Sequence, residues 1–171
     1  SRGMLVAYPN SLPMGLSTVK LQAGIVREVA KNWCVDPKRI YMSGHSDGGT
    51  ISTALALLPE SRDMVAAIAP SAAGFTKQDL DGLQCRPAPI PVMVMHGVKD
   101  SLFPGYGKQA AEWWAACNKC DAGISTPDAS GCVSYSGCPE TAPVVYCEGS
   151  NGHAKWPGLE NRIVEFLLGV K

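Results

Sequence analysis

Ile40-Tyr41-Met42-Ser43-Gly44-His45-Ser46-Asp47-Gly48-Gly49-Thr50 reads as a short apolar run, a Gly-x-Ser-x-Gly turn and the start of a helix rich in Ala and Leu. In that strand–turn–helix order a serine hydroxyl is pushed clear of a sheet. Gly44 and Gly48 flank Ser46 two residues to either side. A side chain at either place would crowd the bend, and Ser46 itself must take a strained backbone angle. The bend aims the first N–H groups of the following helix at a reacting centre, so the N–H of Asp47 is a candidate oxyanion donor. A plainer reading makes Ser46 an ordinary helix cap.

The order of the later residues favours the nucleophile. Asp100 lies just past the apolar run Pro91-Val92-Met93-Val94-Met95-His96-Gly97, and His153 sits near the C-terminus in Gly149-Ser150-Asn151-Gly152-His153. Serine, then acid, then histidine is the chain order that accompanies a serine on a strand-to-helix turn. His153 is the candidate general base, and Asp100 its orienting acceptor. Asp121, Asp128 and Glu148 are weaker choices: the first two fall in a cysteine-rich excursion, and Glu148 is too near His153 along the chain. Of the other two histidines, His45 stands beside Ser46 and would line a pocket, while His96 closes a strand and reads as a packed side chain. Trp156 reads equally as an apolar wall for an acyl or aryl group and as a loop anchor.

Strand-like and helix-like stretches alternate along the chain. Met4–Tyr8 reads as a buried strand and 17–33 as a helix with Leu21, Ile25 and Val29 as its apolar stripe. Ile40–Ser43, Val65–Ala69, Pro91–Gly97 and Val144–Cys147 read as strands. Helices are expected after Ser46 up to Pro59, from Gln109 to Cys117 and from Leu159 to Leu168, with 76–82 a short helix or loop. The pattern predicts an α/β fold, a mostly parallel sheet covered by helices on both faces, in one domain over 1–171.

The 171 residues are 46% hydrophobic, enough for a sizeable core, and 15 basic residues balance 15 acidic ones. Neither a nucleic-acid footprint nor a membrane span is expected. No signal peptide stands before Met4, and the chain reads as starting mid-fold. Five of the seven cysteines, Cys117, Cys120, Cys132, Cys138 and Cys147, crowd one segment. Cys117-Asn118-Lys119-Cys120 has zinc-knuckle spacing, but no second such pair exists, so disulfides and an oxidising compartment are the preferred reading, secreted or periplasmic.

Several blocks together carry a family resemblance: Val35-Asp36-Pro37-Lys38-Arg39-Ile40-Tyr41, the Gly44–Gly49 turn, Ala66-Ala67-Ile68-Ala69-Pro70, His96-Gly97-Val98-Lys99-Asp100, and Gly152-His153 with Trp156-Pro157-Gly158. From about Met4 onward the chain resembles the polyhydroxybutyrate depolymerase and feruloyl (acetylxylan) esterase group of α/β-hydrolases. The stretches 131–138 and 143–148 lie nearer the feruloyl-esterase side. The resemblance implies a Ser46, Asp100, His153 triad, no metal or other cofactor, and disulfides Cys34–Cys85, Cys120–Cys138 and Cys132–Cys147 with Cys117 spare. Two departures stand out. An early His-Gly loop that lends the family its second oxyanion N–H is missing, leaving the loop around Ser11 to Gly15 as a substitute. Ala154-Lys155 also intervene before Trp156. A sheet short of its early strands has an open edge, which favours self-association.

The expected function is ester hydrolysis through an acyl-enzyme, on feruloyl or acetyl esters of plant cell-wall polysaccharide. A polyhydroxyalkanoate depolymerase, a peptidase, and a catalytically impaired remnant or binding module are the alternatives.

Overall fold

Strands buried on both faces are near-continuously apolar, and this chain has three such runs, at 67–70, 92–95 and 144–147. In the computed structural model, which describes residues 3–10, 12–121 and 123–170, they form the middle of one sheet. The strands are β1 (Tyr41–His45), β2 (Ala67–Ser71), β3 (Val92–Gly97), β4 (Cys132–Ser134) and β5 (Val144–Gly149), in the order β1-β2-β3-β5-β4. The first four positions of that order are parallel, and β4 runs antiparallel along β5. The helices are α1 (Leu16–Asn32), α2 (Asp47–Leu57), α3 (Lys77–Asp81), α4 (Tyr106–Cys117) and α5 (Glu160–Leu168).

Side chains alternate across the strands and divide the core in two. Ile68, Val92, Val94, Val144 and Tyr146 face a layer contributed by α1 to α4, including Val19, Leu55, Leu80 and Trp114. Ala67, Ala69, Met93, Met95, Val145 and Cys147 face the other way, onto Ile163 and Leu167 of α5. The sheet is covered on both faces, as the alternation of elements predicted. α3 begins at a capping box: the Thr76 hydroxyl accepts from the Asp79 N–H while the Asp79 carboxylate accepts from the Thr76 N–H. Among the described residues no helix is long and apolar enough to cross a membrane.

Three expectations need correction. Met4–Tyr8 is not a buried strand: Leu5, Val6 and Tyr8 are 49%, 59% and 89% exposed. An apolar run supplies strand propensity, but a strand also needs a neighbour, and none of the recorded sheet pairings involves this segment. α1 buries Thr18, Val19, Gln22 and Ala23, while Leu21 lies exposed and, with Ile25 and Val29, lines a surface cleft closed by Trp33. Both faces of α1 carry apolar residues, and the smaller pair, Val19 and Ala23, is the one turned to the core.

The third correction concerns a disulfide. Cys85 pairs with Cys117, not with Cys34, and Cys34 is the exposed free thiol. Cys117 ends α4, which packs against α3 just upstream of Cys85, so these two sulfurs are brought together. Cys120–Cys138 and Cys132–Cys147 form as expected. Both cysteines of the 117–120 pair are therefore held by sulfur.

Candidate active site

The turn after β1 is built by close approach. A Cβ on Gly44 would overlap the backbone of Gly48, and one on Gly49 would sit 2.5 Å from the Ser71 carbonyl oxygen. Without side chains there, the backbone folds sharply enough to put Ser46 at φ 55° and ψ −117°, a conformation L-residues avoid. Bonds on both sides hold it: the Ser46 N–H donates to the Ser71 carbonyl at 2.9 Å, and the Ser46 carbonyl accepts from the Thr50 N–H at 2.9 Å and the Thr50 hydroxyl at 3.1 Å. The Ser46 hydroxyl makes no capping bond to α2. It lies 2.8 Å from Nε2 of His153 instead, which removes the helix-cap reading.

Parallel strands deliver their C-terminal loops to one edge of the sheet, where sites of open α/β folds lie. β1 ends there with Ser46, β3 with the turn to Asp100, and β5 with the loop to His153. The Asp100 N–H donates to the Gly97 carbonyl, closing the turn at 2.9 Å. Its Oδ1 accepts from the N–H groups of Leu102 and Phe103, each at 2.9 Å, and its Oδ2 accepts from Nδ1 of His153 at 2.8 Å. The Asp100 side chain is fully buried, that of His153 19% exposed. Burial alone would raise the Asp100 carboxyl. The Phe103 N–H, the His153 hydrogen bond and charge, and the Leu102 N–H together outweigh it and hold the group below the usual carboxylate range.

These bonds fix the tautomer. A carboxylate only accepts, so Nδ1 of His153 carries the proton and Nε2 presents its lone pair to the Ser46 hydroxyl. Serine, imidazole and carboxylate form one hydrogen-bonded line across three loops.

Known proteins share this fold. An acetyl xylan esterase from Aspergillus awamori superposes with a TM-score of 0.63 over 87% of this chain and 66% of its own, at 14% identity. The chain has the α/β-hydrolase fold. Feruloyl esterase B of Piromyces equi is 31% identical over a 160-residue alignment that covers 82% of this chain and 29% of that protein. A bifunctional acetylxylan esterase/xylanase of Neocallimastix patriciarum is 27% identical over a 111-residue alignment that covers 60% of this chain and 16% of that protein. The chain thus spans under a third of the length of either fungal relative. No family model matches it.

The remaining candidates of this α/β-hydrolase fall around the line. Asp47 is the first residue of α2, where any helix leaves its N–H without an intrahelical acceptor. Trp156 is half-buried against the α5-side core with its ring 5.5 Å from that of His45, the packing of a loop anchor. The His45 ring bonds Ser71 and the backbone of His153. His96 is packed, as expected, with Nε2 donating to the Phe103 carbonyl at 2.8 Å. Ser11, at the start of the loop expected to lend a second oxyanion N–H, lies outside the described residues.

Two contributors escaped the sequence reading. Ser71 ends β2 fully buried, its carbonyl on the Ser46 N–H and its hydroxyl on His45. A buried polar residue closing an apolar strand at the site edge was the available signal. Phe103 meets the His153 ring edge-on at 4.9 Å and stacks on Tyr106 at 5.4 Å. It lies over Gly74, where a Cβ would approach its ring to 3.1 Å.

Proposed function

We propose that this chain is a serine carboxylic ester hydrolase that works through an acyl-enzyme, with Ser46 as nucleophile, His153 as base and Asp100 as its orienter. The observation that carries the reading is the unbroken line from Ser46 Oγ to His153 Nε2 at 2.8 Å and from His153 Nδ1 to Asp100 Oδ2 at 2.8 Å. As Oγ forms its bond to the ester carbonyl carbon, its proton passes to Nε2, and the buried carboxylate stabilises the imidazolium. The carbonyl π pair moves onto oxygen, where the Asp47 N–H at the positive end of α2 stabilises the oxyanion. Collapse of the tetrahedral intermediate breaks the bond to the alcohol, which leaves with the proton from Nε2. Water then repeats the cycle, giving up its proton to Nε2, releasing the acid and restoring Ser46.

The relatives' names support feruloyl or acetyl esters of plant cell-wall polysaccharide as substrates. The stacked Phe103 and Tyr106 beside His153 offer a flat apolar wall suited to an aromatic acyl group. Three disulfides favour an extracellular setting. Self-association through the open edge of β1 belongs to the same proposal, and sedimentation over rising concentration tests it: a single monomeric species throughout removes it.

Ser46→Ala is expected to abolish hydrolysis of p-nitrophenyl acetate and methyl ferulate with unchanged circular dichroism. Equal turnover by that variant removes the proposal. A panel adding a peptide amide and polyhydroxybutyrate separates the esterase from a peptidase or polyester depolymerase. A fluorophosphonate that fails to label Ser46 would favour the impaired remnant.

A further inference from the structure

We infer that His45, the residue preceding the nucleophile, is a positioning residue that tethers the loop carrying the general base. The inference rests on the acyl-transfer proposal and assigns a part of that machinery to a side chain that touches no reacting atom.

His45 and Ser71 are register partners across β1 and β2, at the ends of both strands. The Ser71 side chain is buried, and its hydroxyl lies 3.0 Å from Nδ1 of His45. Across the ring, Nε2 of His45 lies 2.7 Å from the main-chain carbonyl of His153, 108 residues along the chain. A carbonyl oxygen has no proton to give, so Nε2 is the protonated nitrogen and donates. In the neutral ring Nδ1 is then bare and accepts the Ser71 hydroxyl proton. Both ring nitrogens are satisfied in one neutral tautomer, and the ring becomes a strut between a rigid strand end and the carbonyl of the base itself.

The strut matters because of what it holds. Gly149-Ser150-Asn151-Gly152 leads from β5 to His153 and carries two glycines, so the backbone there has conformational freedom. Fixing the carbonyl of residue 153 fixes the peptide plane from which the imidazole projects. Trp156, three residues on, packs its ring 5.5 Å from that of His45, so the same side chain grips the loop twice. Ser71 links the two reacting partners: its carbonyl holds the Ser46 N–H, and its hydroxyl, through His45, holds His153.

A side chain that only filled space would be replaced by any residue of similar bulk, whereas a tether needs a donor at the Nε2 position. Glutamine places an amide N–H near there, and leucine places none. In the full chain, His45→Leu is expected to lower kcat for p-nitrophenyl acetate by about 10- to 100-fold with KM within about twofold, the scale of a base displaced by an ångström. His45→Gln is expected to recover most of that loss. Ser71→Ala should lower kcat in the same direction, and adding it to His45→Leu should cost little more. Nitrogen-15 NMR of the wild type should show His45 neutral with the proton on Nε2. The proton on Nδ1 of His153, bonded to Asp100, should give a slowly exchanging downfield resonance in the wild type and His45→Gln, lost in His45→Leu.

Wild-type kcat in His45→Leu, or equal impairment in His45→Gln and His45→Leu, would overturn the inference, as would a His45 proton on Nδ1. Should His45→Leu fail to fold, Ser71→Ala carries the same comparison. A wild type that turns over no ester sinks the acyl-transfer proposal, while the His153 resonance still decides the tether: its persistence in His45→Leu refutes it.

Discussion

Gly97 and Asn151 meet backbone to backbone: a Cβ on Gly97 would overlap the Asn151 carbonyl. This contact seats the loop of the base on the end of β3, two residues before His153. The Lys99 N–H donates to the same Asn151 carbonyl at 3.2 Å, and the Val98 N–H to the Gly149 carbonyl at 2.8 Å. The acid and the base are thus spaced by main-chain contact between their two loops.

Gly97→Ala tests that contact. The added methyl has to push the 150–153 loop outward, because the atoms it meets are main chain and not the end of a flexible side chain. A displacement near 1 Å at His153 predicts a loss of about 10²-fold in kcat/KM. The β3–β5 ladder should survive, leaving circular dichroism unchanged. Full activity with the alanine in place would show that the loop yields without moving the base.

Asp100→Asn should act through the tautomer. The amide oxygen can still accept from the Leu102 and Phe103 N–H groups, so the turn keeps its shape. Its NH2 then faces Nδ1 of His153 and forces the proton onto Nε2, where the ring can no longer accept from Ser46. A fall of about 10⁴ in kcat is the expected scale. Stopped-flow measurement of the acylation step checks it, and the defect should ease as pH rises and solvent base substitutes.

How much of this could be read from residues alone depended on how local the cause was. The turn at Ser46 was legible because Gly44, Ser46 and Gly48 lie within five residues, although the crowding expected at both glycines holds only at Gly44: a Cβ on Gly48 meets nothing within 4 Å, and Gly49 is the second close approach. Ser46, Asp100 and His153 were legible as an ordered set following strand ends, and the structure brings all three together. β4 was not: Cys132-Val133-Ser134 is too short to show a period, and its identity as a strand comes from pairing with β5 and from the Cys132–Cys147 bridge. Met4–Tyr8 misled for the converse reason, having strand composition without a recorded partner. The role of Ser71 rests on its register with His45, which no periodicity reports. The partner of Cys85 likewise depends on which helices adjoin in space.

Acid stability should carry the mark of His96. Burial is the main cause holding its imidazole below the ordinary value of 6.5, opposed by Asp100 and by the Phe103 carbonyl. His153 adds to the lowering, and Glu148 opposes it. Its Nδ1 is buried without a hydrogen-bond partner, and a Cβ on Gly107 would strike the ring, so there is no room for a second solvated proton. With the folded value depressed, the unfolded chain binds the proton first. The contribution is fully present above about pH 6.5 and is lost as pH falls toward the folded value, by at most about 1.4 kcal/mol per pH unit. Asp100, also depressed, adds its loss only below the ordinary carboxylate value near 3.8. Urea unfolding of the wild type and His96→Gln between pH 7.5 and 5 should therefore show a shallower slope in the variant. Parallel slopes would place the acid lability elsewhere.

The disulfide assignment gives the last prediction. Denatured without reductant, the chain should titrate one thiol, and labelling should place it at Cys34. Peptide mapping should find Cys85 bridged to Cys117; a Cys34–Cys85 bridge would refute the packing of α3 against α4. Cys34→Ser should leave Tm unchanged, since the side chain is exposed and bonded to no other sulfur. The Cys85→Ala/Cys117→Ala pair opens a loop of 32 residues, which costs about 3.7 kcal/mol. For a chain of this size that corresponds to a fall of roughly 7–15 °C in Tm. Because α4 begins at Tyr106, beside Phe103 and the turn that holds Asp100, loosening its far end should cost stability before activity. Calorimetry and ester turnover at 25 °C on the same samples separate the two, and a variant with native Tm but lost activity would contradict that packing.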